Sequence, residues 1–188
     1  KVPIKQLWIA GSYVPQACRV PVNCVGFLAQ SACKMEISME KAYKLEFGGQ
    51  PGGELFMTCC GCSRTEPLHC FGPAMKPHYL IHYVLNGRGI FKMEGEEYPL
   101  EAGCGFLIEP GQMSFYQADE KDPWMYIWVG FAGERAEEYV KSMGISPRHP
   151  VFHSEQSDEL YSIVRDMMDH NTVGVANELR RNGLLHIF

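Results

Sequence analysis

From Glu54 to Phe131 the chain runs in short apolar or alternating stretches separated by turn residues, which is how an antiparallel β-sandwich or barrel reads. The runs predict strands near 54–60, 66–70, 78–85, 88–93, 96–100, 104–108, 113–118 and 124–131. Asn86-Gly87, Glu94-Gly95 and Pro110-Gly111 punctuate them and read as hairpin connections, because glycine admits the positive φ angles of tight turns. After Gly130 the period lengthens. Glu134 to Met143 reads as a short helix stopped at Gly144, with Pro147 beyond it. Two longer helices follow. Ser157 or Asp158 is placed to cap the first, whose Leu160, Ile163, Val164, Met167 and Met168 share one stripe. The second spans about Val173 to Phe188, with Val175, Leu179 and Leu185 on its apolar side. The expected fold is mainly β with C-terminal helices: a jelly-roll β-barrel, then an antiparallel helical hairpin.

The beginning of the chain follows neither period. Residues 1–34 hold Pro3, Pro15 and Pro21, three cysteines and few charges. They read either as an arm packed on the domain or as sequence upstream of a natural start at Met35. A turn follows at Gly48 to Gly53, and the folded core is expected after it. The organisation is thus an N-terminal arm over 1–53, a ligand-binding barrel over 54–131 and a helical region over 132–188. The chain stops at Leu184-Leu185-His186-Ile187-Phe188 without a glycine cap, as a helix cut before a following domain would.

Composition narrows the function classes. A length of 188 residues suits one main core, and 46% hydrophobic with 21% charged residues is ordinary for a folded domain. A formal net charge of −5 repels phosphates, so the chain as given is not expected to hold DNA or RNA through backbone neutralisation. Apolar runs such as Trp124 to Phe131 are far shorter than the ~20 residues of a membrane-spanning helix, and no secretory signal is visible. The cytoplasm is the expected compartment. Eight cysteines, with Cys59 and Cys60 adjacent, fit reduced thiols better than a disulfide framework.

Four segments occur in a telling order: Tyr79-Leu80-Ile81-His82-Tyr83-Val84-Leu85-Asn86-Gly87-Arg88-Gly89, Tyr98-Pro99-Leu100-Glu101-Ala102-Gly103, Leu107-Ile108-Glu109-Pro110-Gly111 and Trp124-Met125-Tyr126-Ile127-Trp128-Val129-Gly130-Phe131. In this the chain resembles the sensor domain of AraC-type transcription regulators, over most of residues 54–188. The resemblance implies a cupin-like barrel that binds a small-molecule effector, followed by helices that form a homodimer. It also implies DNA binding through a C-terminal domain that does not lie within this sequence. Many cupins are metalloenzymes, but the matching ligand positions fall at Ala74, Lys76, Leu80 and Ser114, none of which offers an imidazole or carboxylate. No metal or other cofactor is therefore expected.

The remaining chemistry is aromatic. Trp124, Tyr126 and Trp128 share one face of the closing strand, Met125, Ile127 and Val129 the other, and Ser114, Tyr116 and Ala118 share a face of the strand before. His78 and His82 have the parity to join them as hydrogen-bonding groups. An indole face can stack on the C–H side of a sugar ring while tyrosine hydroxyls and histidine nitrogens bind its alcohols. The predicted ligand site is therefore Tyr116, Tyr126, Trp128, Trp124, His82, His78 and Ser114, with a carbohydrate as effector. In the resemblance, Tyr116, Tyr126 and Trp128 match positions that line a sugar pocket. Cys59 and Cys62 form a Cys-x-x-Cys pair, but a strand would send Cys60 and Cys62 to one face and Cys59 to the other, which suits small buried side chains better than zinc. Dimerisation is assigned to Leu160, Ile163, Val164, Met167 and Leu179, whose competing role is to cover the barrel. Lys141, Arg148, Arg165, Arg180 and Arg181 read as a solvated face. The alternative function is a cupin-fold enzyme, a sugar isomerase or a metal-dependent dioxygenase; the preferred reading is not enzymatic.

Overall fold

The computed structural model describes residues 5–6, 41–47 and 53–188. Two antiparallel sheets face each other. The first has seven strands, in the order β1 (Lys5–Gln6), β2 (Lys41–Glu46), β3 (Phe56–Arg64), β10 (Met125–Ala132), β5 (Tyr79–Asn86), β8 (Cys104–Ile108) and β11 (Val151–His153). The second has four: β4 (Cys70–Ala74), β9 (Ser114–Ala118), β6 (Arg88–Met93) and β7 (Glu96–Glu101). From β3 to β10 the chain changes sheet at almost every connection, the winding of a jelly roll. Glu94-Gly95 alone of the three expected turns joins paired strands, β6 and β7, with φ of 53° and 87°. Asn86-Gly87 and Pro110-Gly111 instead carry the chain from one sheet to the other. At Gly87, with φ of 73°, a Cβ would come within 2.6 Å of the Pro123 carbonyl oxygen, so glycine is needed for this crossing.

Three boundaries differ from the sequence reading. The strand expected at 66–70 lies at Cys70–Ala74, because residues before it turn, with His69 N–H donating to the Glu66 carbonyl at 3.1 Å. β3 runs on through the Cys-x-x-Cys segment to Arg64. The core also starts earlier than Glu54: β2 pairs along β3, and Leu45 is buried beneath it. The rest of the expected arm, other than β1, lies outside the described residues.

The seven-stranded sheet has a core on each face. Toward the second sheet its side chains are largely aromatic, and Cys59 belongs there. On the other face Cys60, Cys62, Ile81, Tyr83, Leu107, Ile127 and Val129 meet the helices α1 (Ala136–Ser142), α2 (Ser157–Asp169) and α3 (Val175–Ile187). The expected division of the cysteines between two faces is observed. α2 begins without a side-chain cap, because the Ser157 hydroxyl is hydrogen-bonded to the Tyr83 hydroxyl at 2.8 Å, which in turn donates to the Ser154 carbonyl. Leu160, Ile163, Val164 and Met167 are buried in this same outer core, so α2 spends its apolar stripe on the chain's own sheet. On α3 Leu185 is buried, whereas Val175 and Leu179 are exposed, against the expected apolar side. Arg181 takes the inward position instead. It is not part of a solvated face: it donates to the His170 carbonyl at the end of α2 and lies over the Phe47 ring at 4.2 Å.

Candidate functional site

Antiparallel register assembles the aromatic interior. Trp128 of β10 lies opposite Gly61 on one side and His82 on the other, and His82 lies opposite Phe106 of β8. From the facing sheet Tyr116 of β9 lies between Phe71 of β4 and Phe91 of β6. Gly61 makes room for the Trp128 indole, with which any Cβ there would collide. The rings touch throughout. Phe106 is 4.6 Å from His82 and 4.4 Å from Phe91 between centroids, and Tyr126 is 5.5 Å from Trp128 and 5.9 Å from Trp124. Such separations are ordinary for stacked and tilted aromatic pairs.

Five of the seven predicted site residues therefore form one cluster: Tyr116, Tyr126, Trp128, Trp124 and His82. Ser114 shares the interior but donates its hydroxyl to the Ala74 carbonyl at 3.4 Å. His78 stands just before β5, with Nε2 3.8 Å from the Cys59 sulfur. Phe91 and Phe106, central to the cluster, are absent from the sequence reading. The run Cys104-Gly105-Phe106-Leu107-Ile108 does not alternate in polarity, so nothing in it marks Phe106 as inward.

Two polar atoms in this interior have no hydrogen-bond partner among the described residues, His82 Nδ1 and Trp124 Nε1. Buried groups of this kind are normally satisfied, and an unsatisfied one is a candidate ligand contact. Burial and the nearby Lys76 charge push the His82 imidazole down to about 3, so the ring is neutral at physiological pH. Burial, together with Tyr126, raises the Tyr116 phenol well above its ordinary value. The interior thus offers neutral hydrogen-bonding groups on aromatic walls. No group of three or more histidine, cysteine or carboxylate side chains is placed to hold a metal among the described residues. An open cleft of about 580 Å3 lies elsewhere, lined by Arg88, Pro99, Glu101, Gln117 and Glu120 among others. None of the predicted site residues lines it, and its Arg88 is paired with Asp119, also in the lining, and with Asp122.

Two facing sheets wound as a jelly roll, with an aromatic, hydrogen-bonding interior, define a cupin-like small-molecule-binding domain. The chain belongs to a particular branch of that class, the AraC-like ligand binding domain family, which it matches over residues 57–186. Among curated relatives, the Msm operon regulatory protein of Streptococcus mutans is 36% identical over 54% of this chain. The lactose operon transcription activator of Staphylococcus xylosus is 34% identical over 53%, and the raffinose operon transcriptional regulatory protein of Pediococcus pentosaceus 28% identical over 61%. The matched part spans 36%, 36% and 41% of those three proteins' own lengths. Among solved structures, a Cupin 2 conserved barrel domain protein from Salinispora arenicola is similar with a TM-score of 0.39 and 13% identity, covering 64% of this chain and 99% of that one. The chain is accordingly a ligand-binding domain of the regulator type rather than a cupin enzyme. No helix among the described residues is long and apolar enough to cross a membrane.

Proposed function

We propose that the chain is the effector-sensing part of a cytoplasmic operon regulator, that its effector is a carbohydrate, and that DNA is bound by another part of the protein. The observation that carries this reading is the aromatic interior with unpartnered His82 and Trp124 nitrogens, within a family of regulator ligand-binding domains. The names of two relatives, which regulate lactose and raffinose operons, support a sugar. Trp128 and Tyr126 supply faces for the C–H side of a sugar ring, and His82 and Trp124 supply one acceptor or donor each. Ligand that binds one arrangement of the chain better than another then shifts the population toward it. Calorimetric titration with lactose, raffinose and their component monosaccharides tests the reading. Saturable binding with a raised melting temperature is expected, and weaker binding in Trp128→Ala. Absence of any heat or melting shift with all of them would remove the sugar from the proposal.

The homodimer belongs to the same reading, but its face moves. Of the five residues assigned to it, only Leu179 is exposed. Val175, Leu179 and Ile187 fall at multiples of four along α3 and are 72%, 67% and 67% exposed. Gly183 occupies the place between the last two, with open space where a Cβ would be. A second copy of the same helix fits this stripe by two-fold symmetry. Leu179→Lys is expected to turn a dimer into a monomer in sedimentation velocity without lowering the melting temperature of the monomer. An unchanged dimer would place the contact elsewhere.

A further inference from the structure

We infer that the bulge in β3 is a joint between the aromatic interior and α3, and that Asn182 and Arg181 are the positioning residues through which the helix follows it. For its use the joint rests on the sensor reading, in which a change inside the domain has to reach the helix assigned to the dimer. The β3–β10 ladder slips at one point: Gly130 lies opposite Cys59 and Phe131 opposite Met57, leaving Thr58 as an extra residue. In a regular strand, residues two apart share a face. Across this bulge they do not. Met57 packs with the helices in the outer core, whereas Cys59 belongs to the aromatic one, so Thr58 alone separates a side chain of one core from a side chain of the other. On the inner side Cys59 Sγ lies 3.8 Å from His78 Nε2.

On the outer side α3 holds the bulge at two points. Asn182 Oδ1 accepts the Met57 N–H at 3.1 Å, just before Thr58. The Thr58 carbonyl accepts the Phe47 N–H at 3.0 Å, and the Arg181 guanidinium lies over the Phe47 ring at 4.2 Å. Arg181 also donates to the His170 and Thr172 carbonyls, which ties α3 to the end of α2. Little else seats the helix: from Val175 to Arg180 every residue but Asn177 is exposed, and Leu185 is the buried apolar side chain of α3. Arg181 is 6% exposed, and moved off its carbonyls it would be a buried charge without partners. The helix therefore has a seated arrangement and a released one, with no low-energy path of small displacements between them. Anything that reshapes the interior at Cys59 moves the Met57 N–H and the Thr58 carbonyl together, and so acts on both grips at once. By reciprocity, whatever holds α3 in place biases the interior.

Hydrogen exchange followed by mass spectrometry on the chain tests this without a ligand. Cys59→Ala alters the inner side of the bulge. It is expected to speed exchange of the α3 amides about tenfold while leaving those of α2 unchanged. Asn182→Ala, which removes the acceptor of the Met57 N–H, should speed α3 exchange by itself, and adding Cys59→Ala to it should then have no further effect. Asn182→Asp, which keeps an acceptor oxygen, should restore the response to Cys59→Ala. Where Cys59→Ala does not fold, Cys59→Ser makes the same comparison. An α3 rate unmoved by the interior variant, an equal rise in α2 and α3, or the same rise with and without Asn182→Ala would each overturn the joint. No sugar enters these measurements, so their failure leaves the sensor reading standing, and failure of the sugar titration leaves the joint standing.

Discussion

Phe106→Ala is expected to lower the stability of the chain by about 3–5 kcal/mol, as for other large aromatic side chains removed from a packed core. Phe106 is the ring on which the interior is assembled: it is 1% exposed and stacks with both His82 and Phe91. Tyr116 and Trp124 lie within 6.4 Å of it. His82, Phe91 and Tyr116 come from three different strands and Trp124 from the segment before β10, so the void left by alanine could not be closed by moving one of them. For a chain of this size the loss corresponds to roughly 10 °C in melting temperature. Urea unfolding followed by tryptophan fluorescence measures it. A change below about 1 kcal/mol would mean that water, rather than ring packing, fills the interior around Phe106. The same variant should lose sugar affinity, because Phe106 holds the His82 ring in place.

Acid should destabilise the chain through His82. Its ordinary value is 6.5 and its folded value about 3, so below pH 6.5 the unfolded chain takes up a proton that the folded chain refuses. Stability from this group is complete above pH 6.5 and falls by about 1.4 kcal/mol per pH unit until the folded value is reached. At pH 5 the loss is about 2 kcal/mol. His82→Phe, which keeps a ring against Phe106, should flatten the dependence between pH 5 and 6.5. The groups facing the imidazole are the neutral Tyr116 and Tyr126 phenols and, at the rim, Lys76. In the unaltered chain the His82 C–H proton resonances should not titrate above pH 4. A midpoint near 6 would show that the ring is hydrated, and would contradict the closed interior.

The faces of individual strands were legible in the sequence, because alternation reports what each side chain does relative to its neighbours. Trp124, Tyr126 and Trp128 go to the inner core and Ile127 and Val129 to the outer one, as their parity requires. Which strands lie side by side was not legible. A glycine with positive φ looks the same locally whether it closes a hairpin, as at Gly95, or crosses between sheets, as at Gly87. β2 was hidden by its charges: Lys41, Lys44 and Glu46 leave Ala42, Tyr43 and Leu45 in no strict alternation, although Leu45 is buried. The stripe on α2 was read correctly as apolar, but periodicity cannot say whether a sheet or a second helix will cover it. Arg181 was misread for a related reason. Its charge argues for solvent, and only the carbonyls at the end of α2 and the Phe47 ring make an inward position tolerable. The close approach of Cys59 and His78 at Gly130 lies beside a slipped register between β3 and β10, which leaves no mark on composition.

β10 also sets the order in which the chain can fold during synthesis. It is the strand between β3 and β5, and its partner residues Arg64 and Met125 are 61 residues apart in sequence. At elongation rates of about 5–20 residues per second, β3 waits several seconds for that neighbour. Until then neither core can close, since β10 contributes Tyr126 and Trp128 to one, with Trp124 just before it, and Ile127 and Val129 to the other. The nascent chain therefore carries its three clustered cysteines, Cys59, Cys60 and Cys62, uncovered until β10 arrives, and Cys60 and Cys62 wait longer still, for the helices α2 and α3 that cover their face.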